Sequence, residues 1–123
     1  MEQINKYEEW YFQSDYDLEM DKTIINQVVS YLHKSLVANG LKDNRIALFG
    51  SALNGNMHSD SDIDMIVVSK SFENKDIFER INMTSKSRLD VQRKFVIPMD
   101  ILLKTPEEYE YSKSAYFNSE FVS

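Results

Sequence analysis

Cysteine is absent from the 123 residues, which removes disulfides, thiolate metal sites and a cysteine nucleophile together. Any metal must therefore be held by oxygen or imidazole, and only two histidines are present. No apolar run approaches the ~20 residues that cross a bilayer, and the opening MEQINKYEEWYF lacks the basic and apolar zones of a secretory signal. A cytoplasmic protein with no membrane partner is the resulting expectation. Basic residues are in deficit, 14 Lys and Arg against 20 Asp and Glu, for a net charge of −6. Affinity for a long nucleic-acid backbone comes mostly from Lys and Arg, so nucleic acid is disfavoured as a partner. Glycine occurs only three times and proline twice, so the positions of these residues carry information.

What is present is enough for one compact domain with one core. Residues 1–20 mix aromatics (Trp10, Tyr11, Phe12, Tyr16) with acids and show no clean period, and we read them as an arm preceding a domain at 21–123. From Asp21, read as the N-cap, the residues Ile24, Ile25, Val28, Val29, Leu32, Leu36 and Val37 recur at helical steps, and Gly40 is the predicted stop. Residues 45–49 (RIALF) and 62–68 (DIDMIVV) read as strands, and 74–93 as a helix whose period is interrupted by Met83–Ser87. A third strand is predicted over 95–103, with Pro98 suggesting an edge position or a bulge. Thr105-Pro106-Glu107-Glu108 has the pattern of a helix start, and Glu107, Glu108 and Glu110 read as its solvated face. The predicted fold is α/β, an α+β two-layer arrangement with a small mixed sheet and helices on one side.

Asp62 and Asp64 are one residue apart on a predicted strand, which turns both carboxylates to the same face. Like charges at that spacing repel unless water or a cation intervenes, and Mg²⁺ favours one or two carboxylates plus the phosphates of its substrate. Gly50-Ser51 stands where a strand ends and a helical turn is predicted, a place where free N–H groups favour an anion. Gly50 would allow phosphate to come close, and Ser51 would add a hydroxyl. Asp100 is a charge embedded in an apolar strand, and beside the Asp62/Asp64 pair it would complete a carboxylate triad suited to two-metal phosphoryl chemistry. A plain edge charge facing water is the competing reading of Asp100, with Asp90 then taking its place as the third acid.

The run Leu48-Phe-Gly-Ser-Ala-Leu-Asn-Gly-Asn-Met-His-Ser-Asp-Ser-Asp-Ile-Asp-Met65, followed by Pro98-Met-Asp100 and Thr105-Pro-Glu-Glu-Tyr109, resembles the minimal nucleotidyltransferases of the DNA polymerase beta superfamily. That resemblance spans about residues 45–110. It implies a palm-like nucleotidyltransferase fold in which Gly50 and Ser51 hold a nucleoside triphosphate and Asp62, Asp64 and Asp100 bind two Mg²⁺ ions. It further implies transfer of AMP from ATP to a hydroxyl, and a partner in the form of a small helical HEPN-type toxin for which the chain is the antitoxin. Relatives carry arginines shortly after the glycine-serine turn where Ala52 and Asn54 stand here, and many continue into a further helix and strand beyond Phe121. Two alternatives stay open: a non-catalytic, nucleotide-binding antitoxin, and transfer to a small aminoglycoside-like molecule in a pocket completed by an added domain or a homodimer.

Overall fold

The computed structural model describes residues 17–50, 62–116 and 119–123. Helix α1 (Asp17–Ala38) leads into strands β1 (Arg45–Leu48) and β2 (Ile63–Val68), a short 3-10 turn at Lys70–Phe72, and helix α2 (Ile77–Phe95). Strand β3 (Met99–Lys104), helix α3 (Pro106–Tyr116) and a two-residue strand β4 (Glu120–Phe121) complete the chain. The four strands lie in the order β3-β2-β1-β4. β1 is antiparallel to β2 and β4, while β2 and β3 run parallel. This is the mixed α+β sheet that the sequence predicts, but the helices are not all on one side: α3 packs on the face opposite α1 and α2.

α1 begins four residues earlier than Asp21, and it ends as expected at Gly40. Gly40 has φ +104°, its N–H bonds to the Val37 carbonyl at 3.1 Å, and the Leu41 N–H reaches back to the Leu36 carbonyl at 2.8 Å. These paired bonds satisfy carbonyls the helix would leave open, in a left-handed conformation that suits glycine. Leu41 then turns into the core, 4% exposed.

α2 departs from expectation in two ways. Its start is a capping box in which the Asp76 carboxylate accepts from the Glu79 N–H and the Glu79 carboxylate accepts from the Asp76 N–H. It then runs unbroken through Met83–Ser87 because the polar residues there are satisfied where they are buried. The Thr84 hydroxyl donates to the Arg80 carbonyl at 3.0 Å, and Ser87 accepts from the side-chain amide of Asn39, in the turn just after α1, at 2.9 Å. The core side of α2 is thus Thr84, Ser87, Val91 and Phe95, whereas Ile77, Phe78, Ile81 and Leu89, which carry the apparent apolar period, are exposed. The helix also continues through Phe95, so β3 starts only at Met99. Val96 ends it at φ 53°, an uncommon conformation for a β-branched residue.

α1 and α2 cover one face of the sheet. Ile46, Leu48, Ile63, Met65, Val67 and Leu103 meet Val28, Leu32, Leu36, Val91 and Phe95 in one continuous core, whose burial is the main force holding the layers together. A smaller cluster lies on the opposite face, where Tyr109 of α3 joins Ala47, Phe49, Ile66 and Val68, with Phe121 of β4 packed against it. α3 is fixed by a second capping box. The Glu108 N–H donates to the Thr105 hydroxyl and the Thr105 N–H to the Glu108 carboxylate. Glu108 also receives two bonds from the Arg80 guanidinium at 2.6 and 3.0 Å, so it is a structural tie rather than part of a merely solvated face. No described helix is long and apolar enough to cross a membrane.

Candidate active site

β2 is an alternating strand with a polar beginning. Ile63, Met65 and Val67 point into the main core, while Asp64 points to the other face and Asp62 lies just ahead of the strand, exposed. β3 runs parallel to β2 with Asp100 directly opposite Asp64 in the register. Parallel partners turn their side chains the same way, so two carboxylates from adjacent strands share one face, and Asp62 joins them from the start of β2. Asp64 is half-buried, and its carboxyl is held above the usual range by desolvation first and then by the charges of Asp100 and Asp62. Asp64 therefore feels the charges of both Asp100 and Asp62.

Gly50 closes the other side of that set. It has φ +65°, and a Cβ built on it would lie 2.5 Å from the Asp64 Oδ2. Both observations demand glycine: the turn needs a left-handed backbone, and the carboxylate occupies the space a side chain would fill. The Phe49 N–H bonds to the Asp64 carbonyl at 3.2 Å, which ties the end of β1 to the acid strand. Sequence reasoning assigns Gly50 to phosphate approach, whereas the structure adds a reason internal to the protein.

Ser51 lies outside the described residues, as do Ala52, Asn54, His58, Asp60 and the aromatic residues of the arm. The structure thus brings together Gly50, Asp62, Asp64 and Asp100. Asp90 does not join them. It pairs with Lys86 one turn away on α2 at 3.7 Å, whereas Asp100 lies across the strand pair from Asp64. β3 is an edge strand and Asp100 is exposed, so the edge location suggested by Pro98 and proximity to the acid pair hold at once.

Among the described residues, no group of three or more His, Cys, Asp or Glu is gathered tightly enough to hold a metal ion as it stands. The acids are neighbours on the sheet rather than a closed cage, the arrangement that repulsion between uncompensated anions favours. The donor set still fits a hard divalent cation. It offers carboxylate oxygens from two strands, and the partial burial and mutual repulsion that raise Asp64 are what a bound cation relieves.

A sequence profile described as the nucleotidyltransferase domain matches residues 29–122, most of the chain. The chain belongs to the nucleotidyltransferase family. A protein from Sulfolobus solfataricus proposed to be a nucleotidyltransferase shares the fold at a TM-score of 0.66, with 16% identity over 85% of each chain. A second structure of the same description gives a TM-score of 0.49 with 23% identity, over 73% of this chain and 91% of that one. A toxin-antitoxin structure with AMP-PNP gives 0.45 with 27% identity, over 61% of this chain and 56% of that one. No protein of curated function matches the sequence. The matched span of this nucleotidyltransferase-family chain contains Gly50 and all three acids.

Proposed function

We propose that this chain binds Mg²⁺ and ATP at Gly50, Ser51, Asp62, Asp64 and Asp100 and transfers AMP to a hydroxyl of a partner protein, releasing pyrophosphate. The observation that carries the reading is the register of Asp64 against Asp100, with Asp62 close enough to act on the same carboxyl. Divalent cations at these acids would supply charge neutralisation for the phosphates and the attacking oxygen. Asp62, Asp64 and Asp100 are the residues that would hold the cations. Asp100, on the exposed edge strand, is placed to receive the acceptor hydroxyl's proton. The acceptor oxygen forms a bond to the α-phosphorus as the bond from that phosphorus to the bridging oxygen breaks, and pyrophosphate carries the electron pair away. By the resemblance, Gly50 and Ser51 would hold the outer phosphates.

We assign the partner, by the resemblance above, to the small helical HEPN-type toxins, with this chain as the antitoxin. A non-catalytic reading is favoured by Ala52 and Asn54, which remove positive charge where relatives have arginine. One experiment separates the two. Purified chain, α-labelled ATP and Mg²⁺ are incubated in lysate of the source organism, with Asp62→Asn/Asp64→Asn as the control. Label in a protein band that disappears in the double variant is the expected result. Label in a small-molecule fraction shifts the acceptor to the aminoglycoside-like class. ATP binding without label anywhere supports the non-catalytic antitoxin.

A further inference from the structure

An open cleft of about 590 Å³ runs between the outer side of α2 and the free edge of β3, lined by Arg88, Leu89 and Gln92 on the helix and by Met99, Asp100 and Ile101 on the strand. Main-chain geometry shows which groups face it. The Ile63 N–H donates to the Pro98 carbonyl at 2.9 Å and the Ser69 N–H to the Lys104 carbonyl at 3.0 Å. Strand groups alternate in direction, so the even-numbered residues of β3 bond to β2, and the N–H and carbonyl groups of Met99, Ile101 and Leu103 point outward. The Leu103 carbonyl is taken by the Arg80 guanidinium at 3.2 Å. Among the described residues no strand pairs with the edge at Met99 and Ile101.

We infer that this edge is where the acceptor docks, as an extended peptide segment that adds to β3 and places a hydroxyl side chain beside Asp100; the inference rests on the transfer reading above. Strand alternation fixes the pattern. A residue opposite Asp100 in an added strand turns its side chain to the Asp64/Asp100 face, where the acceptor oxygen is required. Its neighbours turn the other way, over the cleft, where Leu89 stands 49% exposed beside the half-buried Met99 and Ile101. Those neighbours are therefore apolar. The charge complement comes from Arg88. Its guanidinium donates to the Thr84 hydroxyl at 3.0 Å and to the Ile81 carbonyl at 3.1 Å, and it has no carboxylate partner among the described residues. An acidic side chain further along the same face of the peptide meets it. The occupant is thus an extended, hydroxyl-bearing, acidic segment of a protein.

The test uses the full chain, Mg²⁺, α-labelled ATP and a short peptide with serine or tyrosine at its centre and valine next to it on either side. Glutamate stands at both ends, two residues beyond each valine, so that alternation turns the glutamates to the valine face and toward Arg88. Amide NMR shifts at Met99 and Ile101 on peptide addition, together with label on the central hydroxyl, are the expected result. Arg88→Glu should weaken the glutamate peptide about tenfold and favour a lysine-ended version. Arg88→Gln, which keeps a donor for Thr84, should lose the charge preference without reversing it. Shifts without label leave the docking site standing and sink the transfer reading. Label without those shifts, or indifference to Arg88, overturns the docking site and leaves transfer standing. No shifts at millimolar peptide overturns it, as do edge shifts that appear on dilution of the chain alone, which would assign the edge to a second copy.

Discussion

The face of the sheet turned away from α1 and α2 has two ends built from the same strands. At one end Ile66 and Val68 of β2 are buried beneath Tyr109 of α3, with Phe121 of β4 packed against them. At the other end, only two residues back along β2, Asp64 meets Asp100 across the strand pair, and the loop from β1 arrives through Gly50. Both ends satisfy the same alternation. The difference is what lies above them, since α3 covers the apolar end and none of the described helices covers the acids. A strand can therefore carry stability at one end and charge awaiting a cation at the other, with the hydrophobic cost of the open end confined to a single step of the ladder.

The largest expected effect comes from breaking the acidic end. Asp64→Asn should lower transfer by more than the roughly 100-fold typical of losing a metal ligand's supporting group, measured as label incorporated per minute. Thermal unfolding in chelator at neutral pH should show no loss of stability, because the substitution removes a charge that desolvation and two neighbouring carboxylates oppose. A variant that unfolds would make Asp64 a structural residue. At the packed end, Tyr109→Ala should cost about 3 kcal/mol in urea unfolding. The ring is 3% exposed, sits 4.8 Å from Phe121, and its hydroxyl bonds to Ser119 at 2.6 Å. Its remaining folded fraction should bind ATP unchanged. Loss of nucleotide binding in step with packing would erase the distinction between the two ends.

The acidic end was legible in the sequence and much of the scaffold around it was less so, for physical reasons. A carboxylate amid Ile, Met and Leu is anomalous on solvation grounds alone, so Asp64 and Asp100 stood out, and a scarce glycine at a strand end marked Gly50. The register that sets Asp64 opposite Asp100 depends on strand order, which no local pattern encodes. The course of α2 was obscured because its buried side includes Thr84 and Ser87, satisfied by Arg80 and by Asn39 of the distant turn after α1, while much of its apolar period faces outward. Glu108 resembled a solvated helix residue because its partner Arg80 lies 28 positions away. Contacts at that separation arise from topology, and periodicity is blind to them.

The smallest effects concern pH, and they carry opposite signs at the two places. Hydrogen bonds from Arg80, against some desolvation, hold the Glu108 carboxyl at about 2, below its ordinary 4.5. A depressed folded value means that the stabilisation is complete above about 4.5 and is lost as pH falls toward about 2. A shift of that size in a dry site is worth roughly 3 kcal/mol. The Glu108 side chain is 45% exposed, and solvent screening reduces the contribution to about 1 kcal/mol. Glu108→Gln should flatten the acid limb of the stability curve accordingly. Asp64 runs the other way. Its raised folded value means that its contribution is complete below the ordinary 3.8 and is lost as pH climbs through the folded titration. Asp64→Asn should therefore flatten the upper limb in chelator, and Mg²⁺ should do the same to the unsubstituted chain by neutralising the set. Unfolding curves taken with and without Mg²⁺ across this range separate the two. A Mg²⁺ effect that persists in Asp64→Asn would place the cation elsewhere on the molecule.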